Sequence, residues 1–248
     1  MTISGPPPLP ARRADAGSIR LTDRDIAGLL LCGEMYGAPY DLLAAALDVQ
    51  PARLRGIVAR WRTAGYAQTG RLGPGPAWCW LTRQGMAVTG LGYPPSRPSL
   101  ARLAHIRAVL AVRLSMADSP AWHDGAAWWR SERRIRAAAG WGHPGGHVPD
   151  AEVSWPDTSP TYPGECWAIE AELTAKPAGR TVAIMTGLLG HTEGYKPGVR
   201  PPGAPSYDRV IYLTTPAARP VVDRARAELP AHLATRLVVR DLPPGAVL

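Results

Sequence analysis

A chain of 248 residues, 46% of them apolar, is long enough for one large or two modest domains, each with its own core, and too apolar to stay unfolded. Its apolar runs fall short of the ~18 residues of a membrane span, and Cys32, Cys79 and Cys166 lack the C-x-x-C spacing of a zinc site or a disulfide framework. The net charge of +8 suits an acidic polymer as partner.

That charge is denser in the first part, with 11 basic against 6 acidic residues before Leu100 and 17 against 14 after it. Nearly all the cations are Arg, in a chain rich in Ala, Gly and Pro, so Arg content by itself says little about DNA. A reduced cytoplasm is the expected compartment, with no membrane partner. Met1 to Pro10 is Pro-rich without an apolar signal core, and residues 1–19 read as a disordered lead-in.

Thr22 is a good N-cap for a first helix that runs to about Tyr36, with Asp23 and Asp25 at its positive end and Ile26, Leu29 and Leu30 as its apolar run. A short second helix is expected over Asp41 to Leu47. Pro51 then opens a third, Ala52 to Ala64, where its missing N–H costs nothing. Leu54, Ile57, Val58 and Trp61 point inward on it, and Arg53, Arg55, Arg60 and Arg62 occupy the remainder. Ala67 to Leu72 and Trp78 to Thr82 read as two strands around a Gly73-Pro74-Gly75-Pro76 tip.

Three helices followed by a hairpin is the order of a winged helix-turn-helix. In that motif the third helix enters the major groove and the basic wing, here Arg71 with Arg83 as a further candidate, lies on the phosphates. A small helical unit that binds protein has the same order and stays open as an alternative. The winged helix is assigned to residues 20–92, and Leu91 to Pro98 reads as a linker.

From Ser99 the spacing of Leu100, Leu103, Ile106, Leu110 and Leu114 predicts an amphipathic helix, on which His105 is expected to pack or cap rather than ligate. Ser131 would cap a helix to Ala139, and Glu132 among its arginines is either a surface ion pair or a metal ligand. His143 and His147 have a metal-like spacing in a glycine-rich loop of the kind that also holds idle histidines.

His147 to Val153 and Trp167 to Lys176 then read as two strands joined through the Pro156–Gly164 loop. Residues two apart in a strand share a face, so Glu170 and Glu172 lie side by side, opposite Ile169, Ala171 and Leu173. Adjacent carboxylates repel unless a positive object joins them. A hard divalent cation such as Mg²⁺ does so with oxygen ligands, to which Asp150 would add one, and its chemistry is water attack on a phosphodiester. The bland alternative is a solvated outer face. A crossover helix (Ala178 to His191), a strand (Asp208 to Thr215), a helix (Pro216 to Leu229) and a last strand (Arg236 to Arg240) complete an α/β pattern, a mixed sheet covered by helices.

Pro149-Asp150 followed by Glu170-Ala171-Glu172 on consecutive strands resembles the PD-(D/E)xK nuclease superfamily. With the upstream winged helix, Trp80-Leu81-Thr82-Arg83-Gln84-Gly85, Ser131-Glu132-Arg133 and Ala168–Thr174, the chain resembles the replication-relaxation proteins of actinobacterial plasmids and integrative elements over roughly residues 20 to 240. The resemblance implies a restriction-endonuclease-like mixed-sheet α/β domain over residues 99–248. It implies metal binding by Asp150 and Glu170, and a place for Glu132 as the acid some members carry on the first helix of the nuclease core. At the third signature position the family has Lys and this chain has Glu172. Lys176, four residues on, would supply that charge from the start of the helix, or contact phosphate or solvent there.

The function expected from the likeness is DNA binding in plasmid or mobile-element replication with Mg²⁺- or Mn²⁺-dependent nicking, with Asp150, Glu170, Glu172 and Lys176 catalytic and Glu132 joining the three acids as metal ligands. The alternatives are a non-enzymatic DNA-binding regulator or replication accessory protein with a degenerate nuclease fold, and a protein-interaction adaptor. Expected partners are double-stranded DNA, a second copy of the chain, and other replication or conjugation proteins.

Overall fold

The structure, a computed structural model, describes residues 20–125, 127–138, 147–190 and 207–247. The expected lead-in and His143 lie outside these residues. The chain is mixed α/β with two sheets, and none of the described helices is long and apolar enough to cross a membrane.

Helix α1 (Asp23–Glu34) starts on the expected cap. Thr22 Oγ1 accepts from Asp25 N at 3.2 Å, and the Asp25 carboxylate accepts from Thr22 N at 3.0 Å. A two-residue strand β1 (Ala38–Pro39) precedes α2 (Tyr40–Ala46) and α3 (Pro51–Thr63). A Cβ on Gly28 of α1 would stand 2.5 Å from the Trp61 ring, so the absence of a side chain there lets α3 pack tightly on α1. Strands β2 (Ala67–Gly70) and β3 (Trp78–Leu81) form the hairpin, and β3 is central in the order β1-β3-β2. Cys32 of α1 and Cys79 of β3 lie side by side and free, and their contact and burial push the Cys32 thiol well up.

Two elements here depart from expectation. Helix α4 (Arg83–Thr89), capped by Thr82 and closed by Gly90 at φ +68, follows the hairpin, so Arg83 belongs to that helix and not to the hairpin. The segment after it is also no loose tether, since Tyr93 and Pro98 are buried.

A 3₁₀ turn (Leu100–Arg102) leads into α5 (Leu103–Ala117). The expectation of a one-sided helix fails on both counts: Leu100 is 65% exposed, and every residue from Ile106 to Val112 is buried. The reason is packing, because α5 is sandwiched between α2 and β1 on one side and the larger sheet on the other.

After α6 (Pro120–Gly125) comes β4 (Trp128–Ser131), a strand not expected from the sequence, and α7 (Glu132–Ala138), capped by Ser131 Oγ accepting from Arg134 N. Strands β5 (Ala151–Ser154) and β6 (Cys166–Glu172), helix α8 (Ala178–Leu189), strand β7 (Arg209–Thr214), helices α9 (Arg219–Ala227) and α10 (Ala231–Ala234), and strand β8 (Leu237–Asp241) follow. The five strands pair in sequence order, antiparallel across β4-β5-β6 and parallel across β6-β7-β8, in a register that aligns Ser131, Ala151, Ile169, Ile211 and Val238.

Trp167, Ile169, Ala171, Ile211 and Leu213 share a core with α5 and with the smaller sheet's helices. Cys166, Ala168, Val210 and Tyr212 face α8 and α9 on the other side. One cluster of buried side chains therefore runs through both sheets. Arginines reinforce the joint. Arg107 forks onto Asp41 at 3.0 and 2.5 Å, and Arg113 and Arg134 meet Glu34 at 3.1 and 3.4 Å. Buried Arg133 donates to the carbonyls of Gly33 and Pro94, between the rings of Tyr36 and Tyr93 at 4.8 and 4.9 Å.

Candidate nucleic-acid interface and acidic site

The phase of α3 follows from its apolar positions. With Leu54, Ile57, Val58 and Trp61 buried, Arg53, Arg55 and Arg62 are left on the exposed side without an ion-pair partner among the described residues. Exposed Arg71 stands at the end of the hairpin in the same condition. Arg60 differs: its Nη2 meets Asp25 Oδ1 at 2.9 Å while the side chain stays 53% exposed. Asp25 also accepts from Trp61 Nε1 at 2.8 Å. Burial works against its charge, but the hydrogen bonds from Thr22 and Trp61 and the Arg60 guanidinium win and hold its carboxyl below the ordinary value. A groove of about 500 Å³ lies between α3 and the hairpin, walled by Ala59, Arg62, Thr63, Gln68 and Trp80.

The acids gather at one end of the larger sheet. Asp150 sits one residue before β5, and its backbone N–H donates to Ile169 O at 3.1 Å. Its Oδ2 accepts from Ala171 N at 2.9 Å, and its Oδ1 lies 2.8 Å from His105 Nε2, on α5. Glu170 and Glu172 do share a face of β6, but that face is buried and packed toward α8, so the solvated-face alternative fails. Glu170 Oε1 lies 2.7 Å from His147 Nε2, and Glu172 Oε2 lies 2.6 Å from Lys176 Nζ. Lys176 stands in the turn before α8 rather than on it.

Glu132 is next to the cluster yet committed elsewhere. Its backbone N–H donates to Asp150 O at 3.0 Å, while its carboxylate takes Arg102 at 2.6 Å and Arg136 at 2.9 Å. These guanidiniums already neutralise it, which favours the ion-pair alternative over the ligand one.

The electrostatics tie the acids together. Burial, then the Asp150 charge, raise Glu170 to about 7 against the opposing pull of His147 and Lys176. Burial disfavours the charged imidazoles, but Glu170 holds His147 above its ordinary value and Asp150 does the same for His105. Tyr212, paired with Glu170 in the sheet register, is raised by burial and then by Glu170, Glu172 and Asp150. Near neutral pH the cluster can therefore exchange a proton between carboxyl and imidazole.

The structure brings Asp150, Glu170, Glu172 and Lys176 together and leaves the α3 arginines on the two flanks of a separate helix, with Arg60 paired to Asp25. The pairing of His105 with Asp150 was not legible in the sequence, because a contact across 45 positions has no local signal. His147, expected to act with His143 if at all, has Glu170 as its partner. Among the described residues no group of three or more His, Cys, Asp or Glu is arranged to hold a metal ion. Compared with known proteins, the chain matches no family model and no curated sequence.

Proposed function

We propose that the chain is a double-stranded-DNA-binding protein of plasmid or mobile-element replication, built from a winged helix-turn-helix and a PD-(D/E)xK nuclease-like unit that nicks DNA with Mg²⁺ or Mn²⁺. One observation carries the DNA contact: Arg55 and Arg62 on one flank of the exposed side of α3 and Arg53 on the other are all exposed and are not neutralised by neighbouring carboxylates among the described residues. Such side chains release condensed counterions when they meet phosphates, and this drives binding. Gly56, on the exposed side of α3 between those flanks, has no atom within 4 Å of where a Cβ would stand, so the helix backbone can come close to a groove wall. The element order α1, α2, α3, β2, β3 supports α3 as the major-groove helix and the hairpin bearing Arg71 as the wing.

The donor chemistry of the acidic end suits a hard divalent ion in kind, since its groups are carboxylate oxygens and since burial, then the neighbouring Asp150 charge, lifts Glu170 to about 7, a rise that a cation would offset. Asp150, Glu170 and Glu172 would hold the ion, which when bound supplies an activated water and charge stabilisation at the phosphoryl group. The protein's part is positional: Ala171 N–H and His105 orient Asp150, and Lys176 offsets the charge of Glu172.

A second reading, a non-enzymatic DNA-binding regulator or accessory protein with a degenerate nuclease fold, is favoured by one observation. Lys176 already gives Glu172 a positive partner, and His105 and His147 stand within hydrogen-bond distance of Asp150 and Glu170, so each acid has a partner without a cation. The two readings separate on plasmid nicking. Metal-dependent conversion of supercoiled to open-circular DNA, lost in Asp150→Asn and Glu170→Gln with DNA affinity retained, supports the enzyme. Failure to nick either generic DNA or DNA from the protein's own replicon, with folded protein and both metals, leaves the second reading. Undetectable binding to duplex DNA at low salt overturns both.

A further inference from the structure

A pocket of about 600 Å³ lies beside the edge strand β4, between it and helices α1 and α5. Its size falls within the ~300–1,000 Å³ of small-molecule sites. Trp122, Trp128 and Trp129 line it, and its charged residues are Glu34, Arg113 and Arg134. Two cations thus face one carboxylate. The Glu34 side chain, 8% exposed, takes Arg113 at 3.1 Å and Arg134 at 3.4 Å, and neither arginine has a second carboxylate among the described residues. Burial holds Arg113 below its ordinary value in spite of Glu34, as expected of a cation short of anionic partners.

The exposed ring of Trp128 adds a flat apolar surface to that charge. The Arg134 guanidinium lies over the ring, 5.3 Å from its centre, yet 49% of the residue stays exposed. An exposed indole is a platform on which any nucleobase can stack, and the guanidinium beside it suits the phosphate of the same nucleotide. Bases inside a duplex are covered on both faces by their neighbours, so only an unpaired one can take this ring.

We propose that this pocket seats an unpaired nucleotide of a single DNA strand, its base against Trp128 and its phosphate toward Arg134 and Arg113. The inference rests on the DNA-binding reading above and adds to it a contact away from α3. The position on the sheet suits a strand that also reaches the acids. Trp128 and Ser131 are the two ends of β4, about 10 Å apart at ~3.3 Å per residue. Glu132 follows directly, with its N–H on Asp150 O at 3.0 Å. Nucleotides stacked at ~3.4 Å cover the length of β4 in about three steps.

The probe is a short thymine strand with a central 2-aminopurine, whose fluorescence falls when it stacks on an indole. It is titrated into the full chain, and into the chain with Arg53, Arg55 and Arg62 replaced by Ala so that α3 cannot supply the signal. Quenching is expected in both. Trp128→Ala should remove the quenching and weaken strand binding at least about fivefold, Trp128→Phe should keep most of it, and duplex affinity should be unchanged in each. Arg134→Gln, a second and independent variant, should lower the salt slope of strand binding by roughly one unit. Absent quenching, quenching that survives Trp128→Ala, or an acidic pentapeptide that displaces the strand at equal concentration overturns the proposal. Equal affinity for the 2-aminopurine mononucleotide overturns the assignment to a strand. Trp128-dependent quenching without any duplex binding retains this site and sinks the reading of α3.

Discussion

Glu170 concentrates the electrostatic tension of the acidic end in one side chain. Burial and the Asp150 charge lift it to about 7, against ~4.3 for a free glutamate. The folded protein thus holds this proton more tightly than the unfolded chain does. Its contribution to stability is present below about pH 4 and is lost as pH climbs through 7. His105 and His147, both raised, act in the same sense: their contribution is present below ~6.5 and fades as pH passes their folded values. The groups facing Glu170 are Asp150, His147, Lys176 and Tyr212, and only the two cations oppose the rise. The midpoint of thermal unfolding should therefore fall between about pH 5 and 8. Glu170→Gln should flatten that slope and stabilise the protein at pH 8 by on the order of 1–2 kcal/mol, measured by urea unfolding at both ends of the range. A slope unchanged in the variant would place the titration elsewhere.

At the scale of elements, α3 divides its arginines between two jobs. Replacing Arg53, Arg55 and Arg62 together with Ala should weaken duplex binding at least about tenfold and reduce the salt slope by roughly one unit for each phosphate no longer neutralised, read by fluorescence anisotropy at several salt concentrations. Arg60→Ala should instead loosen the start of α1, lowering stability by about 1 kcal/mol or less because the pair is half exposed. Much of this was legible in the sequence. Thr22, the phase of α3, the hairpin tip and the shared face of Glu170 and Glu172 follow from caps, helical spacing and strand alternation, which are local. The rest was set by distant partners. Strand β4 is four residues long and is fixed by pairing with β5, twenty or more positions on. Helix α5 has a one-sided apolar spacing in isolation, and its second buried side exists only because α2 and β1 pack there. The acids were legible as a group, but their neutralisation by His105 and His147 was not, since the neutralising groups come from another helix and from an irregular segment.

For the whole molecule, the shared core and its arginines join the two sheets, and a single unfolding transition is the expected outcome. Arg133 is buried in that joint, and Arg133→Leu would leave the carbonyls of Gly33 and Pro94 without their donor. A cost of about 2–3 kcal/mol is expected, seen as a lower calorimetric midpoint of a single transition. The contact of Cys32 and Cys79 has a use of a different kind. All three thiols are free and buried, and that of Cys32 is held far from ionising, so an alkylating reagent meets no reactive sulfur while the native packing lasts. Labelling at Cys32 and Cys79, on α1 and the central strand of the smaller sheet, should proceed only as fast as that unit opens, while Cys166 times the opening of the larger sheet. Mass spectrometry of the three sites over time would then act as two internal clocks. If the clocks keep the same time, the body opens as one, and if Cys32 and Cys79 run ahead, the smaller unit breathes on its own.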